Sequence, residues 1–186
     1  MGLIRRASAF ARNAHKDQVR KDATLPYFDH LEEVAGICRR YTNDPETIAA
    51  AYLHDTIEDQ NVRFEDLVVL FGTNVANAVL RLTNVPAQAG LNRESRHRRD
   101  LDRLATSNAR VHIIKCADMI SNTRSMERVD SRFAIDTYLP ELRSILAVLT
   151  HAPDTLRKEA EKSIDNATAQ ASLLGKHGAG PQPQHY

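Results

Sequence analysis

The stretch "AAAYLHDTIEDQ", residues 49–60, sets His54 beside Asp55 and follows them one turn later with Glu58 and Asp59. In a continuous helix these four positions project onto one arc, so an imidazole and three carboxylates would stand side by side. Carboxylates in such contact raise one another's pKa unless a cation lies among them. A divalent metal is one solution and a solvated acidic helix end is the other. These residues alone leave the two level.

Two further segments carry chemistry. In "RVHIIKCADMISNTR", residues 110–124, Val111, Ile113, Ile114, Cys116, Met119 and Ile120 form the apolar side of a helix. Lys115, Asp118 and Asn122 fall at i, i+3 and i+7, a narrow polar stripe on that helix. Read alone, it is a Lys115–Asp118 surface pair worth about 0.3–0.5 kcal/mol. In "RKDATLPYFDHLEEV", residues 20–34, His30 opens a helix after an extended Leu-Pro-Tyr segment, with Arg20 and Lys21 ahead of it. A single histidine there is more often a cap or a surface residue than a ligand.

The elements that must position these groups are helical throughout. Apolar periodicity predicts helices over about Leu3–His15, Leu31–Tyr41, Phe64–Phe71, Asn74–Leu82, Arg93–Ala105, Ala109–Met126, Arg132–Thr150 and Asp154–Leu174. Asp44 as N-cap and Pro45 at the first helical position start the helix that runs into His54. Gly72 is expected to close the helix before it. No segment alternates with period two, so no strand is expected and the fold class is all-α. One domain over 1–174 accounts for the core. The Gly/Pro/Gln-rich "GKHGAGPQPQHY", 175–186, reads as a disordered tail, which makes His177 and His185 poor ligands.

Composition narrows the class. Lys and Arg number 25 against 24 Asp and Glu, so no global field favours nucleic acid or an anionic membrane. The arginines of "LNRESRHRRDLDRL" have no aromatic residue interleaved, which argues against a nucleic-acid surface. No apolar run approaches the roughly 18 residues of a membrane span, and "MGLIRRASAF" lacks the apolar stretch expected of a signal peptide. A soluble cytoplasmic protein is expected, with its oligomeric state open. Cys38 and Cys116, inside apolar segments, read as small buried hydrophobes rather than a disulfide.

Taken in order, the segments resemble the HD-domain metal-dependent phosphohydrolases, and among them the RelA/SpoT-type alarmone hydrolases. "RKD…PYFDH" is similar to their Arg-Lys…Pro-Tyr-x-x-His segment, and "LHDTIED" to their Leu-His-Asp-Thr-x-Glu-Asp signature. "FGTNVANAVLRLTNV" and "IKCADMISNTRSM" resemble the two helices that follow. The likeness covers roughly residues 7 to 140. It implies an HD-domain helical bundle with a single metal site, in which His30, His54, Asp55 and Asp118 hold one divalent ion, typically Mn²⁺. It implies that Glu58 and Asp59 set up the attacking water, with Asn122 beside substrate or water and Arg20 and Lys21 near the nucleotide. Arg93 and Tyr138 are candidates for a distal phosphate and for packing near the nucleotide.

The implied reaction is 3′-pyrophosphohydrolysis of guanosine tetra- or pentaphosphate to GDP or GTP and pyrophosphate, by a small stand-alone hydrolase. The implied partner is a small nucleotide, not nucleic acid or membrane. Leu31, Met119, Ser121 and "RLTNV" depart from the usual pattern beside the pocket. They leave an adenine alarmone or NADPH as alternative substrates. A non-catalytic nucleotide-binding module is the rival from another class, and a deoxynucleotide HD hydrolase would not be expected to carry "RKD" before "PYFDH".

Overall fold

Asp44 starts the helix that leads to the His-Asp pair. Its carboxylate accepts from the Glu46 and Thr47 amides at 3.2 Å each, and Pro45 holds the first helical position. The computed structural model of the chain describes residues 1–20, 25–84, 86, 90–126 and 131–177, without the side chains of 131 and 175–177. The elements are α1 (Leu3–Ala14), α2 (Tyr27–Arg39), α3 (Pro45–Leu53), α4 (Thr56–Gln60), α5 (Phe64–Phe71) and α6 (Thr73–Leu82). They continue with α7 (Arg93–Ala105), α8 (Ala109–Arg124), α9 (Ser131–Phe133), a π-helical segment (Ala134–Tyr138), α10 (Leu139–Val148) and α11 (Asp154–His177). Among the described residues no strand forms, and one isolated bridge pairs Val19 with Pro26. The all-α expectation holds. Lys21 and residues 178–186 of the expected tail lie outside the described residues, and α11 continues past Leu174 to His177.

Two helices form the interior. Every residue of α3 from Thr47 to Leu53 is buried, against α1, α2 and α6. α8 packs on α2 and α11 and buries Val111, Ile114, Cys116, Met119 and Ile120. Helices apolar on all sides belong inside, so a polar side chain on α8 or at the end of α3 enters the core with them. Cys38 and Cys116 are buried free thiols, and burial pushes each up to about 12. They act as small hydrophobes, as expected.

The structure corrects two local expectations. α2 begins at Tyr27, four residues early, because Pro26 with φ −55° serves as its N-cap and the Tyr27 amide is held by the Gln18 carbonyl at 2.9 Å. His30 therefore sits within the first turn instead of opening the helix. The second correction concerns the arc proposed for His54, Asp55, Glu58 and Asp59. The helix breaks at the His-Asp pair: Asp55 adopts φ −99°, ψ 0°, and the Thr56 hydroxyl donates to the Leu53 carbonyl at 2.7 Å in place of the missing amide. Glu58 and Asp59 belong to the separate short α4, which ends at Asn61 with φ +52°. Gly72 closes α5 with φ +88°, as its position implied.

One histidine outside the His-Asp region couples the fold to pH. His112 is fully buried, its Nε2 donates to the Leu104 carbonyl at 2.8 Å, and its Nδ1 accepts the His151 amide at 2.9 Å. Burial lowers its pKa, as do the neighbouring His151 and Arg157, against the Leu104 carbonyl that favours a charged ring. The folded ring stays neutral where the unfolded one protonates. This contribution is complete above the unfolded value of about 6.5 and shrinks as pH falls below it, at up to about 1.4 kcal/mol per pH unit. Urea midpoints measured from pH 8 to pH 5.5 should therefore fall less steeply for His112→Gln than for the parent; equal slopes would remove His112 from the acid response.

Candidate metal centre

Three stretches of chain deliver four side chains to one point. His30 comes from the first turn of α2, His54 and Asp55 from the break between α3 and α4, and Asp118 from mid-α8. His54 Nε2 lies 3.1 Å from Asp55 Oδ2 and 3.7 Å from Asp118 Oδ1. His30 Nε2 lies 3.4 Å from Asp118 Oδ1 and 3.7 Å from Asp55 Oδ2. Atoms each about 2.1 Å from a shared ion stand about 3.0 Å apart on an octahedral edge and about 3.4 Å apart on a tetrahedral one. The spacing fits a single small cation. Donor atoms of His30, His54 and Asp55 all lie within 4.8 Å of one another; Asp118 falls outside that mutual set and approaches the two imidazoles through its Oδ1.

The protons point the same way. His54 Nδ1 faces the Ala51 carbonyl at 2.8 Å, so it carries a hydrogen, and in the neutral ring Nε2 keeps a lone pair. That Nε2 is buried without a hydrogen bond, although Asp55 is 3.1 Å away. A buried nitrogen without a hydrogen bond, aimed among carboxylates, is what a metal ligand looks like. For His30 the logic runs through Ser121. The Ser121 hydroxyl donates to Glu33 at 2.6 Å, so it can only accept from His30 Nδ1 at 2.9 Å. His30 Nε2 is thereby turned to the cluster as well.

Asp118 is held by two neighbours on its own helix. Lys115 Nζ donates to Oδ2 at 2.9 Å and Asn122 Nδ2 to Oδ1 at 2.6 Å. The stripe read from the sequence is real, but it is buried, with the Lys115 side chain 12% and the Asp118 side chain 8% exposed. A surface pair it is not. Burial opposes ionising Asp118, yet Lys115 and the two imidazoles hold its pKa well below the usual range. Burial likewise opposes charging His54, yet Asp55 and Asp118 raise its pKa well above the usual range. The cluster attracts positive charge strongly, so protons and a divalent cation compete for it.

A supporting layer surrounds the four. The Tyr27 hydroxyl donates to Asp55 at 2.6 Å, and its ring stacks on His15 at 5.1 Å. His15 Nδ1 donates to Gln18 at 2.6 Å, and the Gln18 amide donates to Asp59 at 2.8 Å. Asp59 is thus linked to the cluster through side chains, whereas Glu58 turns elsewhere and accepts from the Asn84 amide at 2.9 Å. The two acids are held by different partners. Arg20 donates to Ser125 at 2.6 Å and lies near Glu33, beside the His30 support. Tyr138 ends the π-helical segment, and burial together with Asp118 pushes its hydroxyl up to about 12. Wide π turns concentrate at functional positions.

Arg93 is less free than its sequence context suggested. It makes a bidentate pair with Glu141 at 2.8 and 2.6 Å, and its guanidinium lies 5.1 Å above the Phe133 ring. Sequence reading missed the supporting roles of Tyr27, Ser121, Glu33 and Gln18. Tyr27 stood inside the quoted "PYFDH", and Ser121 was noted only as a departure from a pattern; Glu33 and Gln18 carried no signal.

Comparison with known proteins gives four findings. The HD-domain family profile matches residues 7–155. The chain is 34% identical over 129 residues to guanosine-3′,5′-bis(diphosphate) 3′-pyrophosphohydrolase MESH1 of Xenopus tropicalis, covering 68% of this chain and 70% of that one. It is 32% identical over 153 residues to a GTP pyrophosphokinase of Myxococcus xanthus, of whose length it spans only 20%, with 75% of this chain covered. A solved structure of a metazoan SpoT ortholog that hydrolyses ppGpp superposes with a TM-score of 0.78 at 26% identity, over 89% of this chain and 96% of that one.

Proposed function

This chain belongs to the HD-domain family, and on that footing we propose that it is a Mn²⁺-dependent guanosine-3′,5′-bis(diphosphate) 3′-pyrophosphohydrolase. The reaction adds water across the bond between the ribose 3′ oxygen and its diphosphate, releasing pyrophosphate and GDP or GTP. One observation carries this reading: two imidazoles and two carboxylates from three distant segments meet at ion-sized spacing, with both Nε2 lone pairs directed inward.

His30, His54, Asp55 and Asp118 would hold the ion. When bound, a divalent cation supplies a nucleophile near neutral pH and positive charge for the phosphoryl oxygens. The protein's own groups do the rest. Ser121 and the Ala51 carbonyl fix the two imidazole tautomers, and Tyr27, Lys115 and Asn122 lock the carboxylate rotamers. Asn122, which donates to Asp118, would also meet substrate. Glu58 and Asp59 move protons, one taking a proton from the attacking water and one returning a proton to the 3′ oxygen that leaves. Asp59 is oriented for this by Gln18 and Glu58 by the Asn84 amide. Arg20 and Lys21 would meet the nucleotide phosphates, Arg93 a distal phosphate, and Tyr138 would pack near the nucleotide. Engaging Arg93 would require the substrate to compete with Glu141.

The test is product identification. Metal-stripped protein is incubated with guanosine tetraphosphate, its adenine counterpart and NADPH, with and without Mn²⁺. Mn²⁺-dependent pyrophosphate release from guanosine tetraphosphate is expected, at a higher kcat/KM than for the other two. No Mn²⁺-dependent product from any of the three would end the hydrolase reading, and a preference for another substrate would replace the guanine assignment.

A further inference from the structure

A group of basic side chains lies away from the metal cluster, along a groove of about 590 Å³ between α1 and the α2–α3 pair. Arg5, Arg12, Lys16 and Arg39 line it, with Tyr52 at its floor, and no aspartate or glutamate does. In a chain whose formal charge is only +1, this is a local excess. Two of the guanidinium groups are fixed in place. Arg12 lies 3.9 Å over the Phe28 ring. Arg39 lies 5.5 Å over the Tyr52 ring and donates to the Tyr52 hydroxyl at 3.2 Å. The Phe28 and Tyr52 rings stack on each other with centroids 6.0 Å apart. Among the described residues, no ion pair with a carboxylate is found for Arg5, Arg12 or Arg39, and Lys16 reaches only the exposed Asp17 at 4.0 Å.

Guanidinium groups immobilised by stacking have already lost the rotamer freedom that binding would otherwise cost, and their planar donors match phosphate oxygens. A single monovalent anion would satisfy one of these cations. A diphosphate, with several charged oxygens on a short bridge, can engage neighbouring cations together. The volume lies within the range of small-ligand pockets. From the stacked guanidinium groups and the cation-only lining of this groove, we propose that it is a second ligand site, taking a diphosphate-bearing small molecule. The site is distinct from the metal cluster, and the inference does not depend on what that cluster hydrolyses. It also touches both helices that carry the imidazoles: Arg39 ends α2, and Tyr52 lies two residues before His54.

Calorimetry on the full chain, dialysed free of metal, tests this with inorganic pyrophosphate as the probe. Saturable binding is expected, weakened at least about tenfold in Arg12→Gln/Arg39→Gln and unchanged in His54→Ala. It should also weaken as salt rises. Thermal melts check that each variant folds, and Arg5→Gln/Lys16→Gln serves as an independent pair on the same groove. A parallel titration with GDP separates the sources: equal affinity assigns the diphosphate alone, and tighter binding assigns a nucleotide. Absence of saturation up to about 10 mM pyrophosphate would overturn the site. So would binding that survives both groove variants, or binding lost in His54→Ala.

Discussion

Asp118→Ala is expected to lower Mn²⁺-dependent pyrophosphate release by at least about 10³-fold, the largest single effect in the protein. Asp118 approaches both imidazoles and is held by two side chains of its own helix. Its Oδ1 lies 3.4 Å from His30 Nε2 and 3.7 Å from His54 Nε2, and it takes hydrogen bonds from Lys115 and Asn122. Removing it would delete one proposed donor to the ion and leave the buried Lys115 ammonium unpaired, at a cost of several kcal/mol in stability. Asp118→Asn separates the two consequences. It keeps the volume and an acceptor for Lys115 but not the charge, so the chain should fold while bound Mn²⁺ per chain and kcat/KM both collapse. Turnover within a few-fold of the parent in folded Asp118→Asn would remove Asp118 from the site.

Glu58→Gln is expected to act differently, with kcat falling about 10²-fold or more while bound metal is unchanged. Glu58 stands on α4, after the helix break, and its carboxylate accepts the Asn84 amide at 2.9 Å. Glutamine can keep that contact through its carbonyl oxygen, so the local fold should persist. What it cannot do is carry a proton between water and the departing oxygen. A fall in kcat with KM and metal content steady identifies proton transfer. Loss of metal instead would make Glu58 a ligand, and an unaltered rate would shift the whole role to Asp59.

How much of this could be read in the sequence depended on whether a signal was local. Lys115, Asp118 and Asn122 were legible because three polar residues at helical spacing stand out on an otherwise apolar helix. The N-cap at Asp44 and the stop at Gly72 were legible for the same reason, since backbone geometry selects those residue types. His30 was not linked to His54 by any spacing; only the resemblance to a family joined them. The break at His54–Asp55 was hidden because the Ala-rich periodicity runs smoothly into it, and the Thr56 hydroxyl that stabilises it acts only once the turn exists. Tyr27 and Ser121 act across helices, on groups 28 and 91 residues away, and pattern within one helix cannot show such contacts. The arginine-rich α7 showed that Arg93 is charged and exposed, but its partner Glu141 lies 48 residues on.

A crystal of the full chain grown with Mn²⁺ and measured at an anomalous wavelength puts the four-ligand cluster to the most direct trial. The expected result is one anomalous peak coordinated by the Nε2 atoms of residues 30 and 54 and by carboxylate oxygens of residues 55 and 118, at about 2.0–2.2 Å. A peak elsewhere in the molecule, or one from which the residue 30 imidazole or the residue 118 carboxylate has turned away, would contradict it.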